Sequence, residues 1–426
     1  MATTLFCPGS PRSGPQLRHE QRPRARSGCA PALREWLDGV SDALCMLPPQ
    51  LRDYRPFAAM ATRSRLRLPR TTGLRVRSPW PAAKVSVVGL ELAKNVFQIH
   101  GVDEAGEVVL RKQLKRSQMQ RFFARLSPCL VGMEACGGAH YWAGVLAEQG
   151  HTVRLMAPAF VKPYLKSNKN DRNDAEAICE AVQRPTMRFV AAKRPEQQSV
   201  LHLHHGRQLL VRQRVALSNH MRGILLEYGI ILPQGVKAVS RRLPALLEDG
   251  ENALPMLTRH LLAALKEQHD QLVERIKFLE TQLKAWHGND APSQRLEGIP
   301  GVGVLTATAL AAQVGDGQSF RNGRQLAAYL GLVPRQASSG GNDRLLGISK
   351  RGDGYLRSLL IHGARAVIHH VRRRLKAGQP GGNPWVEQLL KRCHINEVAV
   401  ALANKMARIA WVLLARGGTY RAMRAA

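Results

Sequence analysis

Four acidic residues and two serines carry the chemistry this sequence offers. Glu91 ends a short apolar run, K-V-S-V-V-G-L-E-L at residues 84–92, and Glu134 ends another, C-L-V-G-M-E at 129–134. Asp171 and Asp174 lie three apart at the start of a predicted helix, so both project from one face. Carboxylates at two strand ends and one helix start can converge on one point. Packed together they repel one another unless cations neutralise them. Hard oxygen ligands in that number suit Mg2+, commonly two ions, with Mn2+ as a substitute. Two such ions activate a nucleophile and stabilise the leaving oxygen of a phosphodiester. The serines, Ser338 and Ser339, stand beside Gly340 and Gly341, with Arg335, Arg344, Lys350, Arg351 and Arg357 around them. Glycines permit close backbone approach, and the cations can hold a phosphate beside a hydroxyl nucleophile.

The elements that must position the acids follow from periodicity. Residues 84–92 are β-branched and apolar, as a buried central strand is. Residues 95–102 alternate, D-E-A-G at 103–106 marks a turn, and 107–114 alternate again, which predicts an antiparallel meander. A helix is predicted from Ser117 to 126, a buried strand at 129–134, a helix over 139–149 closed by Gly150, a strand at 151–156 and a helix over 171–183. The order β-β-β-α-β-α-β-α predicts a mixed sheet with helices over 84–190, the order of an RNase H-like α/β fold.

Residues 191–290 read as long helices. Leu265, Leu272, Ile276, Leu279, Leu283 and Trp286 form an a/d stripe of a coiled-coil seam, able to pair within the chain or, the favoured reading, between protomers. His202, His204 and His205 are assigned to a helix surface, since no acid or cysteine completes a metal set. Residues 291–426 predict a mostly α-helical C-terminal domain. Pro300-Gly-Val-Gly303 resembles a helix-hairpin-helix turn, with Gly301 and Gly303 offering amides to a phosphate. An amphipathic helix over 320–332 leads into a polar loop, 333–350, that carries the serines. A final apolar helix over 396–414 closes the core, with Glu397 and Asn404 read as solvated.

Among 426 residues, 63 Lys and Arg stand against 31 Asp and Glu, a net charge of +32. That balance points to a polyanionic partner, nucleic acid rather than a membrane surface. No run of eighteen apolar residues exists, so no membrane span is predicted. The seven cysteines are odd in number and lack any C-x-x-C, which supports neither a disulfide framework nor a zinc knuckle and predicts a reducing compartment. Residues 1–80 hold fourteen Arg, no Lys and ten of the 24 prolines. This shift marks a boundary and predicts a disordered tail over 1–83, with one short helix at 32–46. A tail without a role in the fold, a basic arm on nucleic acid and a targeting peptide all remain open for it.

Three segments carry a family resemblance: V-G-L-E-L-A-K-N-V-F-Q-I-H-G-V-D at 88–103, G-M-E-A-C-G-G-A-H-Y-W-A at 132–143 and K-N-D-R-N-D-A-E-A-I at 169–178. They resemble the DEDD-type insertion-sequence transposases, the bridge-RNA-guided family whose N-terminal domain is similar to the Holliday-junction resolvase RuvC. The resemblance runs from Lys84 to the C-terminus. It implies metal-dependent DNA cleavage and strand exchange, with Glu91, Glu134, Asp171 and Asp174 as ligands. It also implies a serine in the second domain that attacks DNA. Alignment from Lys350 selects Ser338 and alignment from Pro334 selects Ser339, and Ser338 is preferred on the S-x-G-G pattern. The implied partners are the DNA of the element ends and target, a structured guide RNA and further copies of the chain, as a dimer or tetramer. The implied location is the bacterial cytoplasm, at the nucleoid. One departure stands out, since the family's first acid is Asp in a G-[IL]-D-x-A-K motif and this chain has Glu91. A carboxylate displaced by about 1 Å can cost on the order of 10²-fold in rate. A junction-type nuclease and a decayed copy that only binds nucleic acid are the alternative functions.

Overall fold

A computed structural model describes residues 84–166, 168 and 170–421, so the N-terminal tail and the short helix expected at 32–46 lie outside the described residues. The first strands are β1 (Val87–Leu92), β2 (Val96–Val102) and β3 (Val108–Lys115), followed by the short helix α1 (Met119–Phe123). Then come β4 (Leu130–Glu134), α2 (Ala139–Glu148), β5 (Thr152–Met156), α3 (Pro158–Val161), α4 (Asp171–Val182) and β6 (Phe189–Val190). The six strands form one mixed sheet in the order β3-β2-β1-β4-β5-β6. β1 pairs antiparallel with β2 and parallel with β4, which in turn runs parallel to β5. The meander and the alternation of strands and helices are as the sequence predicts. The two-residue β6 is an addition, too short to leave a periodic signal.

The strands alternate their side chains between two apolar layers. Val88, Leu90, Phe97, Ile99, Val131 and Met133 pack on one face with Phe123, Trp142 and Leu146. On the other face lies α4, whose Ile178 and Val182 pack with Met156 and Val161. Gly89 and Gly132 set how closely that helix approaches. A Cβ on Gly89 would stand 2.1 Å from the Ala175 carbonyl oxygen and 2.5 Å from the Cys179 amide nitrogen, and one on Gly132 would stand 2.7 Å from Val182 Cβ.

Two long helices follow, α5 (Pro195–Glu227) and α7 (Met256–Asn289), joined through α6 (Val236–Glu248). They run antiparallel. Arg207 Nε donates to Glu280 Oε1 at 2.7 Å in one region, and the hydroxyls of Tyr228 and Thr258 meet at 3.0 Å near the far end. Leu225, Val239, Leu243 and Leu262 close the apolar cluster where the chain reverses. The predicted stripe is therefore used within the chain: Leu272, Ile276 and Leu283 are buried and α7 lies along α5. Periodicity defines a seam but does not say which helix fills it. His204 also departs from expectation. It is fully buried, with Nδ1 2.9 Å from Tyr355 Oη and Nε2 3.0 Å from Thr308 Oγ1. These hydrogen bonds from two other helices explain how a histidine can sit in a core.

The rest comprises α8 (Ala291–Glu297), α9 (Val304–Val314), α10 (Gly323–Tyr329), β7 (Pro334–Gln336), β8 (Leu345–Ile348), α11 (Gly354–Lys376), α12 (Pro384–Arg392) and α13 (Ile395–Arg416). One core joins the helices through Leu310, Leu326, Leu360, Ile368, Met406 and Ala410. α13 is long and apolar enough to cross a membrane, yet 56% of that stretch is buried inside the protein and it packs as a core helix. The segment read as a polar loop is instead a β-hairpin, and α10 is shorter than the predicted amphipathic helix.

The helix–sheet contact yields a prediction. Gly89→Ala forces a methyl against backbone atoms that cannot rotate away, so it should destabilise the protein by about 1–3 kcal/mol, the range for overpacking. Thermal denaturation of the variant checks this, and an unchanged midpoint would refute the close approach.

Candidate functional site

The register of the sheet brings the acids to one edge. The last paired residues of β1 and β4 are Leu90 and Met133, so Glu91 and Glu134 are the next residues on adjacent parallel strands. Both share the face of Gly89 and Gly132, two residues earlier, and that face meets α4. The helix runs opposite to β1: Cys179 Sγ lies 3.9 Å from Val87 O, while Gly89 meets Ala175. Its N-terminal turn therefore lies toward Glu91. Asn170 caps that turn by accepting the Asn173 N–H at 2.9 Å, and Asp171 and Asp174 occupy it. Acids are favoured there by the partial positive charge of the helix start. Asp174 is buried, Asp171 exposed, and Glu91 and Glu134 half-buried.

The Cys136 thiol is pushed up first by desolvation and then by the charges of Glu91 and Glu134. Among the described residues, no three His, Cys, Asp or Glu side chains are gathered closely enough to hold one metal ion. The four acids lie toward one end and one face of the sheet without forming a closed ligand set. Their donor chemistry fits hard divalent cations: four carboxylates, with no sulfur or imidazole required.

The serines sit on the β7–β8 hairpin. Gly340 and Gly341 take φ of 56° and 80°, and Asn342 N donates to Ser339 O at 3.0 Å, the form of a type I′ turn. Ser338 Oγ accepts the Arg344 N–H at 3.2 Å, and both serines are exposed. Arg335, Arg344, Lys350 and Arg351 are exposed around the hairpin and the loop that follows it. Lys350 holds a φ of 54°, rare for a residue with a side chain. Arg357 is used internally, where one guanidinium nitrogen donates to the carbonyls of Leu330 and Arg351, both at 2.9 Å. Gly301 faces inward, for a Cβ there would stand 2.6 Å from Gly363 O on α11. Gly303 is exposed at the start of α9.

A contact beside the acid edge leaves no signal in the sequence. His140, in the first turn of α2, accepts the Lys193 backbone N–H at 3.2 Å, and its Nε2 lies 3.4 Å from Lys193 Nζ. Burial lowers the Lys193 pKa, and the charge of Asp353 opposes that. Asp353 in turn caps α11 by accepting the amides of Tyr355 and Leu356 at 2.9 and 3.0 Å. Lys193 thus contacts α2 directly and feels the charge of Asp353 at the start of α11. No spacing could have signalled it, since His140 lies 53 residues away.

Burial also sets a pH dependence. Desolvation holds the His204 pKa down at about 4, and desolvation followed by the Lys193 charge does the same for His140. Both are neutral in the fold, whereas an unfolded histidine takes a proton below about 6.5. Stability should therefore be full above that pH and fall as pH drops from 6.5 toward 4. Urea denaturation at pH 7 and pH 5 should show the loss, and His204→Gln should flatten it. An equal midpoint for the natural protein at both pH values would contradict the neutral buried histidines.

Comparison with known sequences adds to this geometry. Residues 293–378 match the profile described as Transposase IS116/IS110/IS902 family, and residues 88–230 match a DEDD profile of the IS110 group described as Transposase. The chain is 53% identical over 338 residues to a Probable family 20 transposase of Pseudomonas aeruginosa, covering 79% of this chain and 99% of that one. It is 45% identical to the Transposase for insertion sequence element IS1328 of Yersinia enterocolitica, covering 79% and 98%. It is also 45% identical to the Transposase for insertion sequence element IS1111A of Coxiella burnetii, covering 79% and 92%.

Proposed function

This chain belongs to the IS116/IS110/IS902 family of transposases, and we propose that it cuts and rejoins DNA strands for an insertion sequence by joint use of the acid edge and the serine hairpin. The observation that carries the proposal is the common edge: Glu91, Glu134, Asp171 and Asp174 come from two strands and a helix to one end and one face of the sheet. In this reading the sheet and its helices are an RNase H-like, RuvC-like catalytic domain. The four acids would hold Mg2+, or Mn2+ in its place, which when bound activates a nucleophile and stabilises a leaving oxygen.

The serine step uses this chain's own groups. Ser338 Oγ attacks phosphorus, the bond from phosphorus to the leaving sugar oxygen breaks, and the serine proton passes to that oxygen. A phosphoserine ester results. The Arg344 amide bonded to Ser338 Oγ orients the hydroxyl and leaves its proton free to depart. Arg335, Arg344, Lys350 and Arg351 hold phosphates and would make affinity fall steeply with salt. A structured RNA encoded by the element supplies target choice by base pairing, and the working form is a homo-oligomer.

The test traps the adduct on denaturing gels and maps the modified peptide. Ser338→Ala should abolish it and Ser339→Ala only weaken it, and an adduct on Ser339 would reverse the assignment. Asp171→Asn and Asp174→Asn should each abolish strand exchange and leave nucleic-acid binding intact. Mg2+ should raise the melting temperature of the natural protein and fail to raise that of Asp171→Asn, a readout independent of catalysis.

Glu91 generates a second prediction. Glu91→Asp should raise the recombination rate in Mg2+, because Mg2+ demands near-ideal octahedral ligands. Mn2+, less strict, should partly rescue the natural Glu91 protein. A slower Glu91→Asp enzyme in Mg2+ would show that the site is adapted to glutamate.

A further inference from the structure

A groove of about 1410 Å³ runs between the serine hairpin, α10, α12 and α13. It exceeds the ~300–1,000 Å³ usual for small-molecule sites. Its lining combines three kinds of group. Leu332, Ile348, Ile409 and Trp411 give it an apolar floor. Arg324, Lys405 and Arg408 supply positive charge against one acid, Glu397. That acid is already engaged in capping α13, where it accepts the His394 N–H at 3.3 Å. Trp385 lines one side, half-buried against the core, with Lys405 Nζ over its ring at 4.4 Å from the centroid. Flat apolar surface beside cations is the combination that holds unpaired bases and their phosphates. A duplex, with its bases stacked inside, would use only the cations.

The hairpin forming one wall has little support of its own. β7 is exposed throughout and β8 nearly so, with Leu345 at 66% and Leu346 at 37% exposure. A two-stranded hairpin alone is marginally stable. An occupant of the groove would cover these leucines and hold the strands that carry Ser338 and Ser339.

We propose that this groove binds a single-stranded stretch of DNA beside the scissile phosphate, and that its occupation fixes the β7–β8 hairpin. The choice of DNA rests on the reading that a hairpin serine attacks a DNA phosphodiester. Binding of a short oligodeoxythymidylate needs no chemistry, so the groove and the serine step can fail separately.

The experiment measures fluorescence anisotropy of labelled oligodeoxythymidylate with the full chain over a salt series. Lys405→Ala and Arg408→Ala should each weaken binding about tenfold and lower the salt slope by about 0.7, the value for one single-strand phosphate contact. Trp385→Ala should cost about tenfold or more, the scale of one lost stack, and Trp385→Phe should restore it. Arg408 is exposed, so its variant tests the site even if Trp385→Ala fails to fold. Amide exchange over residues 334–348 should slow when the oligonucleotide binds. Unchanged affinity and slope in both cation variants would overturn the site, as would an equal loss on blunt duplex or a preference for the RNA of the same sequence. A change in oligomeric state instead of DNA binding would assign the groove to a second copy. Unaltered exchange over 334–348 would overturn the coupling to the hairpin.

Discussion

The distance between α4 and the sheet governs the rest of the first domain. Gly89 and Gly132 admit the helix backbone and the Val182 side chain to positions a Cβ would occupy. This close contact fixes which turn of the helix stands beside which strand end. Because α4 runs back along β1, its first turn lies over the edge where Glu91 and Glu134 emerge. A longer side chain at Gly89 would lift the helix and carry Asp171 and Asp174 with it. The glycines touch none of the acids, yet they set where the acids can meet.

The second half obeys a different constraint. The antiparallel pair α5 and α7 is pinned to the C-terminal core by a buried polar set, in which His204 of α5 meets Tyr355 of α11 and Thr308 of α9. Each of these groups would be costly in a core without its partner. The same α11 begins at Asp353, which also lies in the field of Lys193. Packing is dense within the sheet domain and, separately, within the C-terminal core. It thins at the hairpin, whose strands are exposed. The serines lie on one of the least supported elements of the C-terminal half, while the acids lie against one of the most tightly packed.

The sequence revealed what depends on local periodicity. Strand ends at Glu91 and Glu134, the helix start at Asp171 and the long helices all leave signals a few residues wide. What it left ambiguous depends on partners far along the chain. The Leu272–Ile276–Leu283 stripe is apolar whichever helix covers it, and the covering helix proved to be α5. His204 stands beside His202 and His205 in the sequence and reads as surface, because Tyr355 lies 151 residues away. The hairpin was hidden for another reason: S-S-G-G-N-D is turn chemistry, and β7 and β8 on either side are only three and four residues long. The missing side chain of Gly301 admits the α11 backbone. Glycine at a turn has the same signature whatever it admits.

The two candidate centres are electrostatic opposites, and this bears on how one substrate can serve both. A phosphodiester nearing four carboxylates is repelled unless cations stand between them. The hairpin, among Arg335, Arg344, Lys350 and Arg351, attracts the same group directly. In a chain of net charge +32, attraction to a polyanion is the general condition and the acid edge the local exception. Under the proposed reading, basic surfaces set how tightly DNA is held, and the acids, through their metal ions, set how fast it reacts. Salt then acts chiefly on binding and metal identity chiefly on chemistry. Glu91 belongs to the second category alone: lengthening one ligand by a methylene leaves the basic surfaces untouched. Under the same reading, DNA binding alone says nothing about the competence of the acid edge.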